Sequence, residues 1–179
     1  MVAVFLATGF EEIEALAPVD ILRRAGVEVY IVGVGEKTIT GAHGITVLCD
    51  LTDHEVLFDK VEMMVLPGGM PGAANLEACP TVQKLLEHCS KHQKWIAAIC
   101  AAPFVLGHKG LLKGKRATCY PGFEKELTGA VCTGSSVECD GNIITGKGPG
   151  AALEFAFALA GALKGDSVAQ KLRGDMQCR

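Results

Sequence analysis

Trp95-Ile-Ala-Ala-Ile-Cys-Ala-Ala-Pro103 is the stretch on which the fold turns. Trp95 to Ile99 is apolar without alternation, the pattern of a strand covered on both faces. It runs straight into Cys100. After Ala101 and Ala102 a short helix is predicted, with Pro103 tolerated in its first turn because an N–H there has no helical partner to lose. A buried strand that hands the chain to a helix is the repeating unit of a parallel α/β sheet.

The same unit recurs on both sides. Upstream, Met63 to Leu66 is a buried strand closed by Pro67-Gly-Gly69, and Thr81 to His92 reads as a helix with Val82, Leu85, Leu86 and Cys89 on one face. Val2 to Leu6 is another unalternating apolar run. Thr8-Gly-Phe-Glu11 fits a capping box for a helix running towards Arg24 and stopping at Gly26, with a bend expected at Pro18. Glu28 to Gly33 and Ile45 to Cys49 read as further strands. Downstream, Val137 to Cys139 and Ile143 to Thr145 flank Asp140-Gly-Asn142 as a hairpin. Gly148-Pro-Gly150 then opens an apolar helix to Leu163 that is expected to be buried. This rhythm predicts a mostly parallel sheet with helices on both faces. With no linker, repeat or low-complexity segment, residues 1–179 are expected to form a single domain.

Bulk properties narrow the function. At 179 residues, nearly half apolar, the chain can bury roughly 70% of its unfolded surface. A net charge of −3 offers no basic surplus for phosphate backbones, so nucleic acid is not an expected partner. The longest apolar run, Ala151 to Leu163, is interrupted by Glu154 and falls short of the ~20 residues of a membrane span, and the N-terminus has no signal-peptide pattern. The expected protein is cytoplasmic, with no membrane partner. None of the eight cysteines forms a Cys-x-x-Cys pair, so most are expected to be small buried hydrophobes, with Cys178 exposed near the end.

In open α/β sheets ligands bind beyond the carboxyl ends of the strands. Three such ends carry chemistry here: Thr8–Glu14, Pro67–Gly72 and Cys100–Pro103. Cys100 sits where unpaired N–H groups and a helix dipole favour thiolate, and Ala98, Ala101 and Ala102 leave it room. The turn imitates a nucleophile elbow, although its flanks lack the usual glycines. The plain alternative is a buried cysteine that ends a strand. Gly69 and Ala101 are candidates to offer backbone N–H groups to an oxyanion or an oxidised sulfur. Glu11, Glu12 and Glu14 suit a helix N-terminus anyway; one of them aimed at Cys100 would be desolvated, with a raised pKa. His88 and His92 share a helix face without the carboxylate of a metalloprotease motif, and a solvated face is the better reading. His43 is a candidate for the pocket border. Gly146-Lys-Gly-Pro-Gly150 matches no phosphate-loop spacing, so no nucleotide cofactor is predicted, and no metal.

Several segments together resemble the ThiJ/PfpI superfamily. They are Glu11-Glu-Ile-Glu-Ala-Leu-Ala-Pro-Val-Asp20 with Arg23-Arg-Ala-Gly26, Leu66-Pro-Gly-Gly69 with Gly72-Ala73, Ala97-Ala-Ile-Cys-Ala101, and Gly148-Pro-Gly150 before Glu154-Phe-Ala156. The resemblance spans nearly the whole chain and is nearest the branch of the Parkinsonism-associated deglycase and its bacterial relatives. It implies a flavodoxin-like three-layer sandwich of the class I glutamine amidotransferase type, usually a homodimer. It also implies Cys100 as the reactive cysteine, Glu14 as the protonated glutamate touching it, and Gly69 and Ala101 as the N–H donors. The implied activity is cofactor-free glyoxalase or deglycase chemistry on methylglyoxal and its adducts. The alternative is a peroxide-sensing, redox-regulated chaperone whose Cys100 goes to sulfinate. Ala101 stands where family proteases carry His, and the late His-x-Glu pair of amidotransferases is absent, so neither of those activities is expected. Tyr120, in Thr118-Cys-Tyr-Pro121, takes the place of a common pocket histidine, and His43 that of an arginine on the dimer-side rim.

Overall fold

The computed structural model describes residues 1–178. Strands β1 (Val2–Leu6), β2 (Val29–Gly33), β3 (Thr38–Thr40), β4 (Thr46–Leu48), β5 (Leu51–Thr52), β6 (Met63–Leu66) and β7 (Trp95–Ile99) precede β8 (Arg116–Ala117), β9 (Val131–Cys132), β10 (Val137–Asp140) and β11 (Ile143–Gly146). The α-helices are α1 (Glu12–Arg24), α2 (Gly72–Ala78), α3 (Pro80–Lys91), α4 (Pro103–His108), α5 (Ala152–Lys164) and α6 (Asp166–Asp175). Among the described residues the main sheet has the order β10-β11-β7-β6-β1-β2-β5. Every neighbouring pair is parallel except the β10–β11 hairpin.

Why the central strands lack alternation is visible in β1, all five of whose residues are buried. Ala3 and Phe5 pack in a cluster with α2, α3 and α4, while Val2, Val4 and Leu6 pack in another with α1 and α5. Each face therefore needs its own apolar set, and burying a side chain such as Phe5 contributes roughly 2–3 kcal/mol. The result is the flavodoxin-like three-layer arrangement expected from the sequence, and the predicted face of α3 is the buried one.

Four expectations need correction. No capping box forms at Thr8–Glu11: α1 starts at Glu12, Glu11 has no side-chain cap bond, and the Glu11 N–H donates to the Gly68 carbonyl instead. The strand expected over 45–49 does not join the main sheet. It pairs antiparallel with β3 in a separate ribbon, and β5 takes the sheet edge. The helix α5 buries one side against α1 and α6 but leaves Leu153 45% exposed. Cys178 is partly buried rather than exposed, and it follows helix α6. Pro18 lies inside α1, which runs on to Arg24.

From β1 the chain travels outward to β2 and β5, then returns to β6 and continues through β7 to β11. The reversal between β1 and β6 is a topological switch point, where the crevice beyond the strand ends receives ligands in open α/β sheets. No helix among the described residues is long and apolar enough to cross a membrane.

Candidate active site

Because β7, β6 and β1 are adjacent, the three chemistry-bearing loops do converge at this crevice. Cys100 takes a left-handed φ of 65°, a conformation that costs an L-residue roughly 1–2 kcal/mol. Two hydrogen bonds hold it there: its N–H donates to the Gly146 carbonyl at 2.9 Å, and its carbonyl accepts the Tyr120 N–H at 2.8 Å. The turn thus presents the sulfur across the crevice to α1, with the residue 9% exposed.

Glu14, in the first turn of α1, is fully buried and meets the Cys100 thiol. Its Oε2 accepts the Gly68 N–H at 2.9 Å, while its Oε1 has no hydrogen-bond partner among the described residues. Burial raises the Glu14 pKa to about 7, helped by the nearby charge of Glu11 and opposed by the bonds from Cys100 and Gly68. A carboxyl with an orphaned oxygen and a pKa near neutrality exchanges a proton easily.

The thiol itself departs from the sequence expectation. Burial, the Glu14 charge and the hydrogen bond to Glu14 push the Cys100 thiol up to about 12, against the thiolate that its turn favours. The N–H groups of Gly69 and Ala101 do face the sulfur and pull the other way, but they are outweighed. α4 adds little, being only six residues long. The charge on Glu14 and the burial shared by the pair both disfavour a second negative charge on the sulfur.

Gly68 is the spacer that sequence reasoning missed. A Cβ there would lie 2.6 Å from Cys100 Cβ and 2.7 Å from Glu14 Oε2, so only glycine lets the two side chains meet. The Gly-Gly pair was the available signal, but it spoke only of a turn. His43 is brought to the two other carboxylates: its Nδ1 lies 2.9 Å from Glu12 Oε2 and 3.5 Å from Glu11 Oε2. These three residues have ligand atoms mutually within 4.8 Å, as a metal site needs. The cluster is also accounted for without an ion. Burial raises the Glu12 pKa, but the His43 ring and the N–H groups of His43 and Ile45 outweigh it and hold the carboxylate below the usual value. Tyr120 stands on the other side of the Cys100 turn, half exposed on the wall of an open cleft with Pro121, Ser136, Gly148 and Pro149.

Fold and site together define a class: flavodoxin-like proteins that display a strained cysteine at a strand-to-helix turn against a buried glutamate. The chain belongs to the DJ-1/PfpI family, whose model matches residues 1–162. It is 36% identical over 177 residues to the protein DJ-1 homolog B of Arabidopsis thaliana, covering 97% of this chain but only 40% of the plant protein. A Caenorhabditis elegans protein named glutathione-independent glyoxalase is 33% identical, with 87% of this chain and 83% of its own length aligned. A Pyrococcus abyssi protein named deglycase is 34% identical, with 83% and 90% aligned. Among solved structures, Toxoplasma gondii DJ-1 in an oxidised form superposes with a TM-score of 0.94 at 33% identity, covering 98% of this chain and 97% of that one.

Proposed function

We propose that this protein is a cofactor-free glyoxalase or deglycase acting on 2-oxoaldehydes such as methylglyoxal, free or as early adducts, through Cys100 and Glu14. The observation that carries the reading is the buried Cys100–Glu14 pair, with Glu14 titrating near 7 and one carboxyl oxygen unpartnered. The Glu14 carboxylate takes the thiol proton as the sulfur–carbon bond forms, so a preformed thiolate is not required. The aldehyde oxygen becomes an oxyanion, and the N–H groups of Gly69 and Ala101, which act on the sulfur, receive its charge. Glu14 returns that proton to the oxyanion, giving a neutral hemithioacetal. As carboxylate it then removes the C1 proton and delivers it to C2, while the hydroxyl proton passes from the C1 oxygen to the C2 oxygen. The thioester left is hydrolysed by water to a 2-hydroxy acid and the free thiol. Moving the thiol proton to Glu14 is less costly than the separate values imply, because the Glu14 charge that raises Cys100 disappears in the transfer.

The names of the nematode and archaeal relatives agree with this reading. Methylglyoxal consumption is expected to vanish in both Cys100→Ser and Glu14→Gln; activity surviving in either variant removes that residue from the mechanism.

A second reading is supported by the same N–H groups, which also suit the oxygens of an oxidised sulfur, and by the oxidised form of the Toxoplasma relative. Here peroxide takes Cys100 to sulfenate and then sulfinate, releasing one water at each step. Mild peroxide should add two oxygens at Cys100 before any other cysteine changes. Oxidation falling first on Cys119 or Cys178 would sink it.

We also infer a cytoplasmic homodimer of single-domain chains. Ile13 on α1 and Ile45 and Leu48 around β4 are 53–74% exposed, an apolar set suited to a second copy.

A further inference from the structure

His88, in the last turn of α3, and His92, which caps it, stand one helical turn apart, and the His92 N–H donates to the His88 carbonyl at 3.0 Å. That turn brings both rings to one face, with their centroids 4.4 Å apart. The face is not the solvated one expected from the sequence, because the His88 side chain is only 18% exposed. Phe58, in the short turn Phe58–Lys60 that precedes β6, packs edge-on against it with ring centroids 5.9 Å apart.

The fold leaves this ring unsatisfied. Its Nε2 is closed off from solvent and has no hydrogen-bond partner among the described residues. Asp59 Oδ1 stands 3.8 Å from it, too far for a hydrogen bond. Nitrogen and oxygen ligands held at ~2.0–2.1 Å by a tetrahedral zinc ion are roughly 3.4 Å apart, so an ion between Nε2 and Oδ1 needs only a small inward movement. The Asp59 side chain, 95% exposed, is free to make it. Burial and the charges of His92 and Lys94 hold the His88 pKa below its usual value, against the pull of Asp59 and with a further push from Lys91. The ring is therefore neutral at neutral pH, with a lone pair to give. Lys94 also opposes a cation by its charge, but its ammonium is drawn off to the Phe58 and Asp59 carbonyls, at 3.2 and 3.0 Å.

We propose that His88, His92 and Asp59 form a binding site for a divalent transition-metal ion of the zinc type, separate from the Cys100 crevice. Two imidazoles and one carboxylate suit zinc, nickel or copper better than calcium or magnesium, which prefer oxygen ligands. The ion ties the turn at residues 58–60, which leads towards β6, to the end of α3, which leads into β7. Cys100 lies beyond the far end of β7, roughly 17 Å of strand away. The ion therefore takes no part in the chemistry there; it fastens the amino ends of two central strands.

Zinc tests it, with the ring nitrogens read by NMR on protein carrying isotopically labelled histidine and free zinc set by a chelator. Zinc should shift the rings of His88 and His92 together and leave those of His43, His54 and His108 in place; His88→Gln and His92→Gln assign the two signals. The affinity read from those shifts should fall by about tenfold or more in both His92→Gln and Asp59→Asn, since even an outer-shell partner of a bound metal is worth about 10–100-fold. His92 and Asp59 are both exposed, so these variants keep the fold even where His88→Gln does not. Zinc should also raise the Tm of the native protein and of Cys100→Ser, but not that of His92→Gln. Shifts that fall on His43, beside Glu11 and Glu12, overturn the proposal. So does an affinity unchanged in either His92→Gln or Asp59→Asn, or the absence of any shift at His88 and His92 with zinc in excess.

Discussion

Replacing Glu14 by glutamine should change how stability depends on pH, by an amount the structure sets. Glu14 is fully buried, and its pKa rises from 4.5 to about 7 on folding. The folded protein therefore keeps a proton that the unfolded chain has released, so stability is greatest below 4.5 and falls as pH rises towards 7. A difference of about 2.5 pKa units corresponds to roughly 3 kcal/mol, spread over that interval. Glutamine keeps an acceptor for the Gly68 N–H but cannot ionise, so the variant should escape the loss. Other titrating groups cancel in the comparison, and the Cys100 thiol stays protonated below pH 8. Urea unfolding of both proteins at pH 5, 6, 7 and 8 gives the difference directly. It should move by about 2.5 kcal/mol in favour of Glu14→Gln between pH 5 and pH 8, or roughly 5–10 °C in Tm for a chain of this length. A difference that stays flat with pH, or that moves against the variant as pH rises, would refute the claim that Glu14 is a desolvated, proton-holding group.

Three further outcomes are expected. Alkylation of Cys100 by iodoacetamide should accelerate through pH about 7 and then level, following Glu14 as base rather than the thiol; an inflection that remains near 7 in Glu14→Gln would contradict this. Gly68→Ala should cost roughly 1–3 kcal/mol by urea unfolding and abolish methylglyoxal consumption, because the new methyl collides with both Cys100 and Glu14; a fully active variant would mean the two side chains need not meet. Leu48→Glu, which charges the most exposed residue of the apolar set on α1 and β4, should convert a dimer to a monomer by light scattering, and an unchanged mass would place the interface elsewhere.

How much of this was legible in the sequence depended on how local the cause was. Strands β1, β6 and β7 declared themselves because burial on both faces removes alternation, and the hairpin β10–β11 because Asp140-Gly-Asn142 marks its turn. The capping box at Thr8–Glu11 was misread because the Glu11 N–H is claimed by Gly68, 57 residues away in the chain. The segment 45–49 has strand composition, yet nothing local says whether its partner is the main sheet or β3. The meeting of Cys100 with Glu14 came from family resemblance; spacing alone left three glutamates equally placed.

The sign of the thiol shift shows the limit most clearly. From residues 95–103 alone, every visible influence on Cys100 favours the anion: an N–H from Ala101, a turn, a helix start. The opposing influences arrive only with tertiary structure, because burial requires α1 and α5 to cover the site, and the adverse charge sits on α1. The chemistry changes accordingly. An exposed thiolate would react with any electrophile at a rate set by its own pKa, whereas in the mechanism proposed above this thiol needs a neighbouring carboxylate to remove its proton. On that mechanism selectivity comes from the crevice, since the reacting molecule has to fit between sulfur and Glu14. The same burial that raises the thiol would then confine its reactivity to what the site can hold.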